Sequence, residues 1–121
     1  MELGSAHLLT GKFRFVTSPV GLAGSALPLC QSNSDRVALI LSNTSTANPA
    51  YVNINSGASP TNGIVLPLNE PVLYLNIHDH GSLVQQAWWG FSTAGTIFVL
   101  EVIELETGNF PPMAEPETFN E

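Results

Sequence analysis

The chain has 121 residues, enough for one domain with a single core and too few for two. Charged residues make up 11% against 44% hydrophobic, and the polar complement of Ser, Thr, Asn and Gly suits tight turns and flat neutral surfaces better than helices. Three Lys and Arg against ten Asp and Glu, a formal charge of −7, argue against a surface that tracks nucleic-acid phosphates or an anionic membrane.

Taken in chain order, residues 1–7 form a short polar start. Met1-Glu2-Leu3-Gly4-Ser5 has no apolar h-region behind it, and Cys30 has no second cysteine to pair with, so synthesis in a reducing cytosol is expected. A domain then spans residues 8–106. Leu8 to Val16 alternates and reads as a first strand with Lys12 and Arg14 outward. Residues 17–35 contain Pro19, Gly21, Gly24 and Pro28, which exclude a useful helix, and they read as a long exposed loop. A loop of that length is either a contact element or a mobile segment without a role.

Arg36 to Leu41 carries a nearly continuous apolar run closed by Ser42-Asn43-Thr44-Ser45, the pattern of a strand buried on both faces. Asn48-Pro49 starts a turn, Tyr51 to Asn55 alternates, and the residues from Ser56 to Gly63 form another turn cluster. Ile64 to Leu68 and Val72 to Ile77 are further short strands. His78-Asp79-His80-Gly81 then turns the chain into a strand from Leu83 to Trp89, and Thr96 to Glu106 gives a long last strand. About seven short strands without a convincing 3.6-residue period predict an all-β protein, a single antiparallel β-sandwich or jelly-roll-like domain with extended N- and C-terminal segments. Residues 107–121 are Pro-rich and acidic with spaced Phe110, Met113 and Phe119. This is the composition of an arm that docks on a neighbour, with Phe110, Pro111, Pro112, Met113 and Phe119 as anchors, or of a frayed tail.

Candidate chemistry is sparse. His78 and His80, two apart in an extended chain, would project to one side and could begin a metal site. No third ligand is evident, and the other reading is a solvated polar turn. No Gly-x-Ser-x-Gly elbow, phosphate-cradling loop or dinucleotide fingerprint is present, and no cofactor is implied. Glu101 and Glu104 read as facing solvent or a partner. Of the adjacent Trp88 and Trp89, one ring fills the core and the other reaches a surface, where it serves as an interface anchor or a sugar platform. Trp88 is taken as the partner-facing ring. Asn43-Thr44-Ser45 matches the glycosylation triplet and reads as an ordinary turn.

The Arg36 strand ending in Asn43-Thr44-Ser45, then Tyr51-Val52-Asn53, Asn62-Gly63-Ile64-Val65-Leu66, Trp88-Trp89-Gly90, Gly95-Thr96-Ile97 and Val102-Ile103-Glu104 give an order of features that resembles small tailed-bacteriophage virion proteins. The resemblance spans Arg36 to Glu106 and rests on strands and turns, not on a catalytic signature. It implies a head decoration, or cement, protein that binds the major capsid protein lattice on the capsid surface, as a dimer or trimer, without catalytic residues and after synthesis in the host cytoplasm. A tail, baseplate or fibre-attachment protein shares the same features, and a carbohydrate-binding β-sandwich is the rival of another class.

Overall fold

A computed structural model of the chain describes residues 12–69 and 72–105. They form eight strands: β1 (Lys12–Leu22), β2 (Leu27–Cys30), β3 (Arg36–Asn43), β4 (Ala50–Asn53), β5 (Ile64–Leu66), β6 (Val72–Asn76), β7 (Trp88–Phe91) and β8 (Gly95–Leu105). Between β6 and β7 lie a single α-helical turn, α1 (Ile77–His80), and a 3-10 turn, Gly81–Gln85.

The strands pair from the middle outward. β4 lies antiparallel to β5, β3 to β6, β2 to β7 and β1 to β8. This ribbon of paired strands winds between two layers, because β3 also pairs with β8 and β4 with β7. The result is one sheet in the order β1-β8-β3-β6 facing a second in the order β2-β7-β4-β5. That order is the eight-stranded jelly roll, as the all-β reading of the sequence anticipates.

The two-residue period of each strand decides which side chains enter the core. From β3, Leu39 and Leu41 point between the sheets, from β8 Ile97 and Val99, from β4 Ala50 and Val52, and all are buried together with Leu66, Leu75, Val84 and Trp88. Each buried Val, Leu or Ile side chain contributes about 1.5–3 kcal/mol over its exposed state. Gly90 is packed tightly against the core: a Cβ there would stand 2.9 Å from Ile97 Cδ1 of the facing sheet and 3.0 Å from Leu29 Cδ2 of the neighbouring strand.

Three expectations are corrected. The long loop over residues 17–35 is mostly strand: β1 continues to Leu22, and β2 begins at Leu27 after a turn at Gly24, whose φ is +91° and whose N–H donates to Ser92 O at 2.8 Å. Pro19 misled because it signals a break. Here β1 is the edge of its sheet, where a residue without an N–H is tolerated. The strand predicted over Leu83 to Trp89 is instead the 3-10 turn followed by β7, with Trp88 Nε1 donating back to Leu83 O at 3.2 Å. β3 is fully buried only on its inner face, and Ala38, Ile40 and Ser42 on its outer face are half-buried.

Candidate functional site

The most heavily bonded polar group in the described structure is Arg36, at the start of β3 and fully buried. A bulge between Arg36 and Ala38 sets the guanidinium opposite Ile103, at the end of the sandwich. Its Nε and Nη2 donate to Glu101 Oε1 at 2.9 and 2.7 Å, its Nη1 donates to Val84 O at 3.0 Å and Gln86 O at 2.9 Å, and its Nη2 also donates to Gln31 O. All five N–H donors of the guanidinium are thereby used. They tie β8, the 3-10 turn and the segment after β2 to β3. Glu101 therefore faces inward, contrary to the expectation that it meets solvent or a partner. The sequence carried the signal, since Glu101 shares the two-residue phase of Val99 and Ile103. Glu104 lies on the opposite face, and its buried Oε2 has no hydrogen-bond partner among the described residues.

Asn43 closes β3 in the same manner. Its Nδ2 donates to Asn48 O at 3.0 Å and Leu66 O at 3.1 Å, and its Oδ1 accepts from Ser45 N. The amide of the apparent glycosylation triplet is buried and fully occupied.

The histidine pair does not converge. His78 and His80 sit on one helical turn, where residues two apart point to nearly opposite sides, and the extended geometry that would have aligned them is absent. The turn is held by its own bonds. Asn76 Oδ1 accepts from Asp79 N at 2.8 Å, Asn76 Nδ2 donates to Asp79 Oδ2 at 3.1 Å, and Asn76 N donates to His80 Nδ1 at 3.0 Å. Among the described residues no three His, Cys, Asp or Glu side chains are placed to share a metal ion. Cys30 lies buried in β2, not in a loop, and burial pushes its thiol above the ordinary value, only partly offset by the Arg36 charge.

Trp88, expected to face a partner, is 1% exposed and fills the core. The outward ring is Trp89, in register with Asn53 on one side and Pro28 on the other. It shares the outer face of the second sheet with Tyr51, Phe91 and Val65. The Tyr51 and Phe91 rings lie 6.4 Å apart and tilted by 49°. The expected anchors Phe110, Pro111, Pro112, Met113 and Phe119 lie outside the described residues, as do residues 1–7.

Single-sequence reasoning missed the outer face of the first sheet. Register places Phe15, Val102 and Ala38 in one row across β1, β8 and β3, Leu100, Ile40 and Tyr74 in the next, and Pro19, Phe98, Ser42 and Val72 beyond it. Phe15 is 66% exposed, Val72 56% and Tyr74 52%. Toward the Lys12 end this face sinks into a groove of about 550 Å³, floored by Ala38 and Val102 and walled by Phe13, Phe15, Tyr74 and Ile77, with His78 and Asp79 at the rim. No helix among the described residues is long and apolar enough to cross a membrane.

No known protein family, curated protein or solved structure matches the chain.

Proposed function

We propose that the protein is a structural virion component of the capsid decoration type, which binds the major capsid protein lattice as a homo-oligomer and braces neighbouring subunits. The observation that carries this reading is that both outer faces of the jelly roll are apolar. Phe15, Val72, Tyr74 and Phe98 stand exposed on the first sheet, and Val65 stands exposed beside the half-buried Tyr51, Trp89 and Phe91 on the second. A module that joins two neighbours needs two contact surfaces. Large apolar side chains in continuous patches are the usual material of such contacts. The low charge of the chain supports the same reading, because few charges must be desolvated when either face is covered. The jelly roll is used by viral capsid and lectin domains, so the fold is compatible without choosing between them.

The test is co-sedimentation of the purified protein with capsids that lack it. Stoichiometric binding near a simple fraction of the capsid subunit number is expected. Val72→Ser with Val65→Ser, one on each outer face, should weaken binding while leaving the unfolding midpoint nearly unchanged, since both side chains are about half exposed. Absence of binding by the unaltered protein refutes the proposal. The arrangement of Trp89 between Asn53 and Pro28, beside Tyr51 and Phe91, favours one rival, a sugar platform. Glycan titration of the tryptophan fluorescence separates the two, because a saturable response to soluble glycans belongs only to the second.

A further inference from the structure

We propose that the groove on the first sheet is the seat of the chain's own Phe110-Pro111-Pro112-Met113. Ala38 is the smallest side chain in a row otherwise made by Phe15, Val102 and Asn76, and the lack of volume there produces the depression. A second copy of the chain fits this badly, because a two-fold would bring two identical concavities together around an enlarged void. A narrow extended segment fills such a space.

Chemistry narrows the occupant. The floor and walls are mostly carbon, from Phe13, Phe15, Ala38, Tyr74, Ile77 and Val102, and the polar groups are Asn76, beside Ala38, with His78 and Asp79. An extended segment laid there finds few hydrogen-bond partners, and each ordinary residue would bury an unpaired N–H. Pro111 and Pro112 have no N–H to lose, and Phe110 and Met113 flank them with the large apolar groups that the groove lacks.

β8 ends at Leu105, in register with Lys12, and the preceding pair, Glu104 and Phe13, brings the chain to the wall of the groove. From Leu105 to Phe110 is five residues, a reach of at most about 17 Å. The whole sheet from β1 to β6 is only about 14 Å across, at about 4.8 Å per strand spacing. Thr107-Gly108-Asn109 supplies turn-forming residues where the direction must reverse. A tethered segment also faces its site at an effective concentration in the millimolar range, so a shallow apolar groove suffices.

The proposal is tested on the isolated full chain, without capsids, so its outcome is separate from that of lattice binding. A photo-crosslinking benzoylphenylalanine is placed at Phe110, the dilute protein is irradiated, and the linked peptides are mapped by mass spectrometry. The expected result is an intrachain link to the peptides carrying Phe13, Phe15, Ala38, Tyr74 or Val102. Ala38→Phe, which fills the floor from the outer face, should abolish that link while the unfolding transition persists. A link to other surfaces, a link only between copies, no link at all, or a groove link that survives Ala38→Phe each overturns the proposal.

Discussion

Replacing Arg36 with methionine keeps the length and apolar stem of the side chain and removes all five donors at once. Glu101 then loses both N–H partners, at 2.9 and 2.7 Å, while its side chain remains only 14% exposed. The carbonyls of Gln31, Val84 and Gln86 lose a donor as well. Removing one member of a buried ion pair costs about 3–5 kcal/mol, because the remaining charge is stranded. Total stability for a domain is about 5–15 kcal/mol, so this single change consumes a large share of it. At roughly 4 °C per kcal/mol for a domain of this size, the melting temperature should fall by about 12–20 °C. Urea unfolding followed by tryptophan fluorescence measures the loss directly. Glu101→Gln retains an acceptor for Nε and Nη2 but leaves the buried guanidinium without its counter-charge, and should cost about 3 kcal/mol, the low end of the same range. In the double variant Arg36→Met with Glu101→Met, the stranded carboxylate is gone, so stability should recover part of the way. The three carbonyls keep it below the starting value. A loss under about 1 kcal/mol for Arg36→Met would refute the claim that this network holds the end of the sandwich closed.

Other substitutions probe separate contacts. Gly90→Ala places a methyl 2.9 Å from Ile97 Cδ1 and 3.0 Å from Leu29 Cδ2 in the packed core, and should destabilise by about 1–3 kcal/mol in the same urea assay. Asn43→Asp turns a donor toward Asn48 O and Leu66 O into an acceptor, and a drop in thermal midpoint that shrinks at acidic pH is expected, because a protonated carboxyl can again donate. Cys30 should react with a thiol reagent only at the rate of unfolding, since its thiol is buried and held protonated. Its folded value is raised, so the stabilisation it gives is complete at low pH and declines above 9.0, its ordinary value. Cys30→Ala should remove that decline from the stability profile.

The architecture was legible because the strand signals in this chain are local. Val37 to Leu41 and Ile97 to Ile103 alternate or run apolar, and Asn48-Pro49 and Ser56 to Gly63 punctuate them. What was illegible depended on partners distant in sequence. Pro19 reads as a breaker until β8 is known to cover only one side of β1. Leu83 to Gln85 read as strand because a 3-10 turn has no pattern of its own at that length. The inward Glu101 was legible in principle from its phase, yet a buried acid is costly without a base, and its base, Arg36, lies 65 residues away. The groove was beyond sequence reasoning altogether. Phe13, Phe15, Ala38, Tyr74 and Val102 come from four strands, and only the register shows that the small residue sits among the large ones.

The polar residues also bear on how the two apolar faces arise. A guanidinium is the group most suited to capturing an anion, and here all its donors point inward to a carboxylate and three backbone carbonyls. Asn43 and Asn76 likewise use their amides on turns of the chain itself. With these groups committed to the ends and turns of the roll, the broad outer faces are left mostly to carbon, and the strand period places apolar residues outward as well as inward. An ordinary surface sheet alternates apolar with polar, so both faces here depart from the pattern expected when water is the only neighbour. Introducing charge outward tests that reasoning. Val72→Lys, outside the groove, and Val65→Lys, each about half exposed or more, should leave the unfolding free energy within about 0.5 kcal/mol and raise solubility. Destabilisation by several times that amount would show instead that these faces are held by packing within the domain.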